Sequence, residues 1–192
     1  MGTDAPLRHT PDVIRRVTPP PHAGEETRGS ARPSVSSPVH GGGAERAVAS
    51  EAEGGRIVRI ARGWIGTPYV HQASCKGAGC DCLGLLRGVF RELRGEEPES
   101  VPPYSPDWAE ATGAETLYSA LLRHLTEIDP AALRPGDVAL FRMHARGPAK
   151  HCGIVGMKGG KLTLIHTRQN KWVGEEVFGP LWTRRLAFAF RI

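Results

Sequence analysis

Cys80, Asp81 and Cys82 stand together ahead of an apolar run, in GCDCLGL at residues 79–85. Two thiols flanking a carboxylate admit four chemistries: a metal clip, half of a disulfide, a redox pair or a nucleophile. The chain has four cysteines, Cys75, Cys80, Cys82 and Cys152. The first three are spaced C-x4-C-x-C, without the C-x2-C knuckle that zinc and iron–sulfur sites favour. A metal on Cys82 would also block it as a nucleophile, so no metal or other cofactor is expected. A Cys75–Cys80 disulfide is conceivable outside the cell, but free thiols, buried or half-buried, are the simpler expectation.

A nucleophilic cysteine needs a depressed pKa and a base within reach. Asp81 is a natural N-cap, which puts Cys82 in the first turn of a helix, where unpaired N–H groups and the helix dipole favour a thiolate. Downstream, Lys150-His151-Cys152-Gly153-Ile154 reads as the start of a strand, and Leu164-Ile165-His166 as the end of the next. If 151–157 and 161–167 form a hairpin through the turn Lys158-Gly159-Gly160, His166 returns to the neighbourhood of His151. His166 could then hold the imidazole of His151 in one tautomer, as the third member of a triad does. Each of these residues also has a structural reading: Cys82 as a small buried hydrophobe, His151 as a surface histidine, His166 as a strand-end histidine.

The elements that must position these groups follow from periodicity. RIVRIARGWIG places Ile57, Ile60, Ala61 and Trp64 at helical spacing, and Gly66-Thr67-Pro68 stops that helix. DCLGLLRGVFREL puts Cys82, Leu85, Leu86, Val89 and Leu93 on one helical face. DWAEATGAETLYSALLRHL reads as one or two helices. Strand patterns then take over in DVALFRM, HCGIVGM, KLTLIHT and LAFAFRI. Helices followed by an antiparallel run of strands make the class α+β. Trp108, Trp172 and Trp182 read as core or rim packing rather than as a substrate groove.

Composition divides the 192-residue chain near residue 55. Residues 1–55 contain no Phe, Trp or Tyr but hold 7 of the 16 prolines and 8 of the 24 glycines. Such a segment cannot bury enough apolar area to offset its ordering entropy, so it reads as disordered. It is either a tethering arm or translated spacer ahead of a true start near Val48. Its 6 basic and 7 acidic residues sum to −1, so residues 56–192, the expected folded domain, carry 19 basic and 13 acidic residues, or +6 within the chain's net +5. A mild basic excess suits an anionic partner, such as a cell-wall polymer. No basic run with interleaved aromatics suggests nucleic acid. No stretch approaches the roughly 18 apolar residues of a membrane span. The N-terminus lacks the apolar core of a secretion signal.

In order along the chain stand GTPYVHQ at 66–72, DCLGL at 81–85, RPGDVALF at 134–141, HCGIV at 151–155 and LIHT at 164–167. Together they resemble the NlpC-type cysteine peptidases that cut peptidoglycan stem peptides, over roughly residues 56–190. The resemblance implies a papain-like core, with a nucleophile-bearing helix packed on an antiparallel sheet. It implies Cys82 as nucleophile, His151 as base and His166 as orienting residue. Tyr69 matches a tyrosine that lines the family's site, and Asp81 and His71 are expected to line it too. The Cys82 backbone N–H would help form the oxyanion hole. Leu83 stands where many relatives have Ser, leaving nucleophile and base untouched. The implied bond joins the γ-carboxyl of D-glutamate to the diamino acid of the stem. HQASCKGAGCDCLGL looks most like the branch found in phage and gene-transfer-agent tail clusters. That branch implies tail-hub or tail-tip partners, synthesis in the cytoplasm without a signal peptide, and delivery to the wall by the particle. The rival expectations are an acyltransferase or amidase on the same fold, a catalytically silent structural tail-tip protein, and a metal-binding assembly module.

Overall fold

The computed structural model of the chain describes residues 42–105 and 113–192. The expected disorder of residues 1–41, and the helix and Trp108 expected over 107–112, lie outside the described residues. Helix α1, Gly42–Arg62, begins fourteen residues ahead of the expected domain start at Arg56. Residues 44–53 are built from Ala, Glu, Arg, Val and Ser, good or tolerable helix formers that averaging over the Pro-rich segment concealed. Residues 44–49 are exposed, and packing begins just beyond them. A side chain at Gly54 would lie 2.3 Å from the Pro135 carbonyl, and Glu53 pairs with Arg94 at 2.8 Å. Helix α1 thus runs across residues 55 and 56 without a break.

After α1 a two-stranded hairpin, β1 Ser74–Cys75 and β2 Gly79–Cys80, leads directly into α2, Cys82–Arg94. Helix α3, Thr116–His124, runs into β3, Thr126–Ile128. The remaining strands are β4 Val138–Arg142, β5 Ala149–Lys158, β6 Lys161–His166, β7 Gly174–Val177 and β8 Leu186–Arg191, with the short α4, Pro180–Arg185, before β8. One six-stranded sheet of order β3-β8-β4-β5-β6-β7 results, with every neighbouring pair antiparallel. This is the expected α+β architecture.

Strand alternation sorts β5 between two cores. Cys152 and Ile154 join Val138, Leu140, Ile165 and Phe190 in the core under α1, α2 and α3. Val155 joins Phe141, Leu164 and Trp182 of α4 in a smaller core. Helix α2 closes tightly on the segment that follows α1, because Gly88 admits the Trp64 ring: a Cβ there would stand 2.0 Å from the indole. Trp64 Nε1 in turn donates to Glu92 at 2.7 Å. Among the described residues no helix is long and apolar enough to cross a membrane.

Candidate active site

Asp81 is buried, and it organises the head of α2. Its Oδ1 accepts the Gly84 N–H at 2.7 Å, the side-chain bond of an N-cap. Its Oδ2 accepts the Gln72 N–H at 2.7 Å and the Tyr104 hydroxyl at 2.5 Å. Gln72 has φ of 63°, an unusual conformation for a residue with a side chain, and the bond to Asp81 helps hold it. Cys82 is thereby fixed as the first residue of α2, half-buried, with N–H groups of the first turn unused by the helix.

The Cys82 thiol is held well below the ordinary cysteine range. The largest cause is a hydrogen bond from the Cys152 thiol; burial opposes it, and hydrogen bonding and charge from His151 add to it. Cys152 pays the converse: donation to Cys82 and burial push its thiol well up. Its Sγ lies 3.4 Å from the Cys82 carbonyl oxygen. Cys152 thus supports Cys82, a part that its sequence position beside His151 did not reveal.

Behind Cys82 the imidazoles form a line. His151 on β5 and His166 on β6 are both buried, with His151 Nε2 2.9 Å from His166 Nδ1. Gly153 makes this approach feasible, since a Cβ there would stand 3.0 Å from the His166 Cβ and 2.7 Å from Leu164 Cδ1. His166 Nε2 continues to Glu176 Oε1 at 2.8 Å. Burial, with His151 next to it, pushes His166 down to about 4. Burial opposes ionisation of Glu176, but hydrogen bonds from His166 and Trp182 hold its carboxyl below the usual range. Trp182 is buried against both rings, stacked on His151 at 5.5 Å and edge-on to His166 at 4.8 Å. Glu176 and Tyr104 were missed in the sequence. GEEV is too short and too polar to read as a strand, and Tyr104 lies in a Pro-rich loop 23 residues from Asp81.

The expected lining residues also gather here. Tyr69, His71, Asp81, Cys82 and His151 border one cavity of about 300 Å³. Burial, then the charges of Asp81 and Cys82, raise the Tyr69 phenol above its ordinary range. His71 Nε2 lies 2.8 Å from the Tyr104 carbonyl oxygen, and its Nδ1 lies 3.5 Å from Asp81. A second cavity of about 430 Å³, largely apolar, opens between α2 and α3 and shares Leu83, Tyr104, Ser105 and Leu117 with the first. Cys80 stands apart from the chemistry: buried on β2, its thiol is pushed up to about 12. Cys75 is exposed, and all four cysteines are free thiols. Trp172 is exposed beside Pro68 rather than packed. Among the described residues no group of three or more His, Cys, Asp or Glu side chains is disposed to hold a metal ion.

Residues 66–191 match the NlpC/P60 family. Gamma-DL-glutamyl hydrolase of Bacillus subtilis is 28% identical over 124 residues, which make up 60% of this chain and 26% of that protein. The chain thus spans about a quarter of the length of that curated relative. Among solved structures, an NlpC/P60 family protein from Bacillus cereus aligns with a TM-score of 0.51 and 19% identity, covering 72% of this chain and 39% of that one. A lipoprotein-like member of the family from Staphylococcus aureus aligns with a TM-score of 0.50 and 21% identity, covering 74% and 42%. Both likenesses concern the fold.

Proposed function

The chain belongs to the NlpC/P60 family of cysteine peptidases and peptidoglycan hydrolases, and from that premise we propose that it hydrolyses a stem-peptide amide of peptidoglycan, with Cys82 as nucleophile, His151 as base and His166 as orienting residue. The observation that carries the proposal is a cysteine at a helix head that shares one cavity with His151, whose buried ring lies 2.9 Å from that of His166. The Cys82 thiolate attacks the amide carbonyl, and a C–S bond forms. The oxyanion faces the N–H groups of the first turn of α2. As the C–N bond breaks, His151 gives its proton to the departing amine. His151 then takes a proton from water, which attacks the thioester and releases the acid and the Cys82 thiolate.

The bond we propose joins the D-glutamate γ-carboxyl to the diamino acid. The γ-glutamyl bond in the name of the Bacillus subtilis relative supports it. Arg168 on the cavity wall also suits the free α-carboxylate that a γ-linkage leaves. We further propose that the enzyme rides on a phage-like tail, docked on hub or tip proteins; the support is the wording of residues 71–85.

The test is digestion of purified sacculi by wild type beside Cys82→Ala, with products identified by mass spectrometry. Cleavage at a γ-glutamyl amide by wild type alone is expected. Cleavage by the variant would move the nucleophile elsewhere, and cleavage by neither would favour a structural tail-tip role. Purified tail particles lacking peptides of this chain would refute the tail placement.

A further inference from the structure

The hydrogen-bond line behind Cys82 has a direction, and the group at its far end sets it. A carboxylate only accepts, an indole N–H only donates, and a neutral imidazole carries a single N–H. Glu176 Oε1 lies 2.8 Å from His166 Nε2 and also takes the Trp182 Nε1–H at 3.0 Å. His166, pushed down to about 4 by burial and by His151, is neutral at pH 7. Its one proton therefore sits on Nε2, toward Glu176, and its Nδ1 is an acceptor. His151 must hold a proton on Nε2 to fill the 2.9 Å bond. The nitrogen left to exchange a proton with Cys82 is His151 Nδ1.

We propose that Glu176 is a positioning residue: by accepting the His166 Nε2–H it fixes the proton positions on both imidazoles and turns the proton-exchanging edge of His151 to Cys82. Its consequence for catalysis rests on the proposed hydrolase chemistry; the protonation pattern itself does not. Without the acceptor, the His166 proton is free to move to Nδ1. The line then reverses, and His151 turns an N–H to Cys82 with its lone pair facing away.

Local structure is built around this acceptor. Alternation along β7 sends the two adjacent glutamates to opposite faces. Glu175 bonds Thr163 at 2.6 Å and Arg62 at 2.7 Å, while Glu176 reaches His166. Arg168 lies 3.7 Å from the Glu176 carboxylate and over the Trp182 ring at 5.6 Å, and so favours the charged form.

The test uses Glu176→Ala and Glu176→Gln in the full chain. In Glu176→Gln the amide oxygen can serve both donors, and the donor-only indole of Trp182 disfavours the flipped amide. Nitrogen-15 NMR of the imidazoles reads the tautomers without substrate. Wild type and Glu176→Gln are expected to show His166 protonated on Nε2, with Glu176→Ala shifted toward Nδ1. A wrong tautomer in a triad costs about 10⁴ in kcat. Glu176 is one residue further from the nucleophile, so kcat of Glu176→Ala should fall roughly ten- to a hundredfold, with KM held and near-wild-type kcat in Glu176→Gln. An Nδ1-protonated His166 in wild type, an unchanged tautomer in Glu176→Ala, or equal losses in both variants would overturn the assignment. A wild type with the expected tautomers that cleaves no sacculus would instead sink the hydrolase proposal and leave this one standing.

Discussion

Replacing Asp81 by Ala removes one carboxylate and strands three donors. The cap on Gly84 N–H is worth about 1 kcal/mol. The Gln72 N–H and the Tyr104 hydroxyl, bonded at 2.7 and 2.5 Å, each lose an acceptor in a half-buried setting. Leaving such a donor unmet costs about 1–3 kcal/mol. Relief from desolvating the carboxylate offsets part of this, so the net loss should be about 2–4 kcal/mol. For a fold of this size that lowers Tm by roughly 5–15 °C. Asp81→Asn keeps an acceptor for Gly84 but turns an NH₂ toward Gln72 N–H, while the Tyr104 hydroxyl can rotate to accept. It should lose only about 1–2 kcal/mol. The assay is thermal unfolding of wild type, Asn and Ala variants, paired with the rate of Cys82 alkylation at 20 °C. The expected order of Tm is wild type, Asn, Ala, with alkylation slowest in Ala because the head of α2 loosens. An Ala variant melting within 2 °C of wild type would refute the view that this carboxylate holds the site together.

Three further outcomes can be checked. The thiolate is the reactive form, and the Cys82 pKa is depressed; iodoacetamide labelling of the Cys82 peptide should therefore hold a plateau from neutral pH upward and fall only in acid. A tenfold rise per pH unit between 7 and 9 would mark an ordinary thiol. Gly153→Ala forces a Cβ to within 3.0 Å of the His166 Cβ and 2.7 Å of Leu164 Cδ1. It should cost about 1–3 kcal/mol of overpacking and up to about a hundredfold in activity through displaced imidazoles, read by melting and sacculus digestion. A chain beginning at Ser50 should melt with the full-length protein, since residues 44–49 are exposed. One beginning at Arg56 loses the Glu53–Arg94 pair and the packing of Gly54 on Pro135, and should melt several degrees lower; equal melting of the two would place the boundary at 55/56.

Local signals made much of this legible in the chain itself. The N-cap at Asp81, the helical spacing of Leu85, Leu86, Val89 and Leu93, and the hairpin turn Lys158-Gly159-Gly160 act over a few residues, and each was readable. So was the return of His166 toward His151, because a hairpin fixes register once its turn is known. The family motifs fall at these same places. What tertiary structure alone decided lies where partners are remote in sequence or patterns are short. Glu176 joins the imidazoles only because β7 adds to the sheet edge, and four residues give no usable period. Tyr104 reaches Asp81 from 23 residues downstream, beyond the whole of α2. Cys152 supports Cys82 because the face of β5 that carries it packs under α2. The first turns of α1 escaped notice for the opposite reason, as a helical signal of Ala, Glu and Arg was averaged into a Pro-rich segment. Periodicity names the face an element presents; it takes the packed fold to say what that face meets.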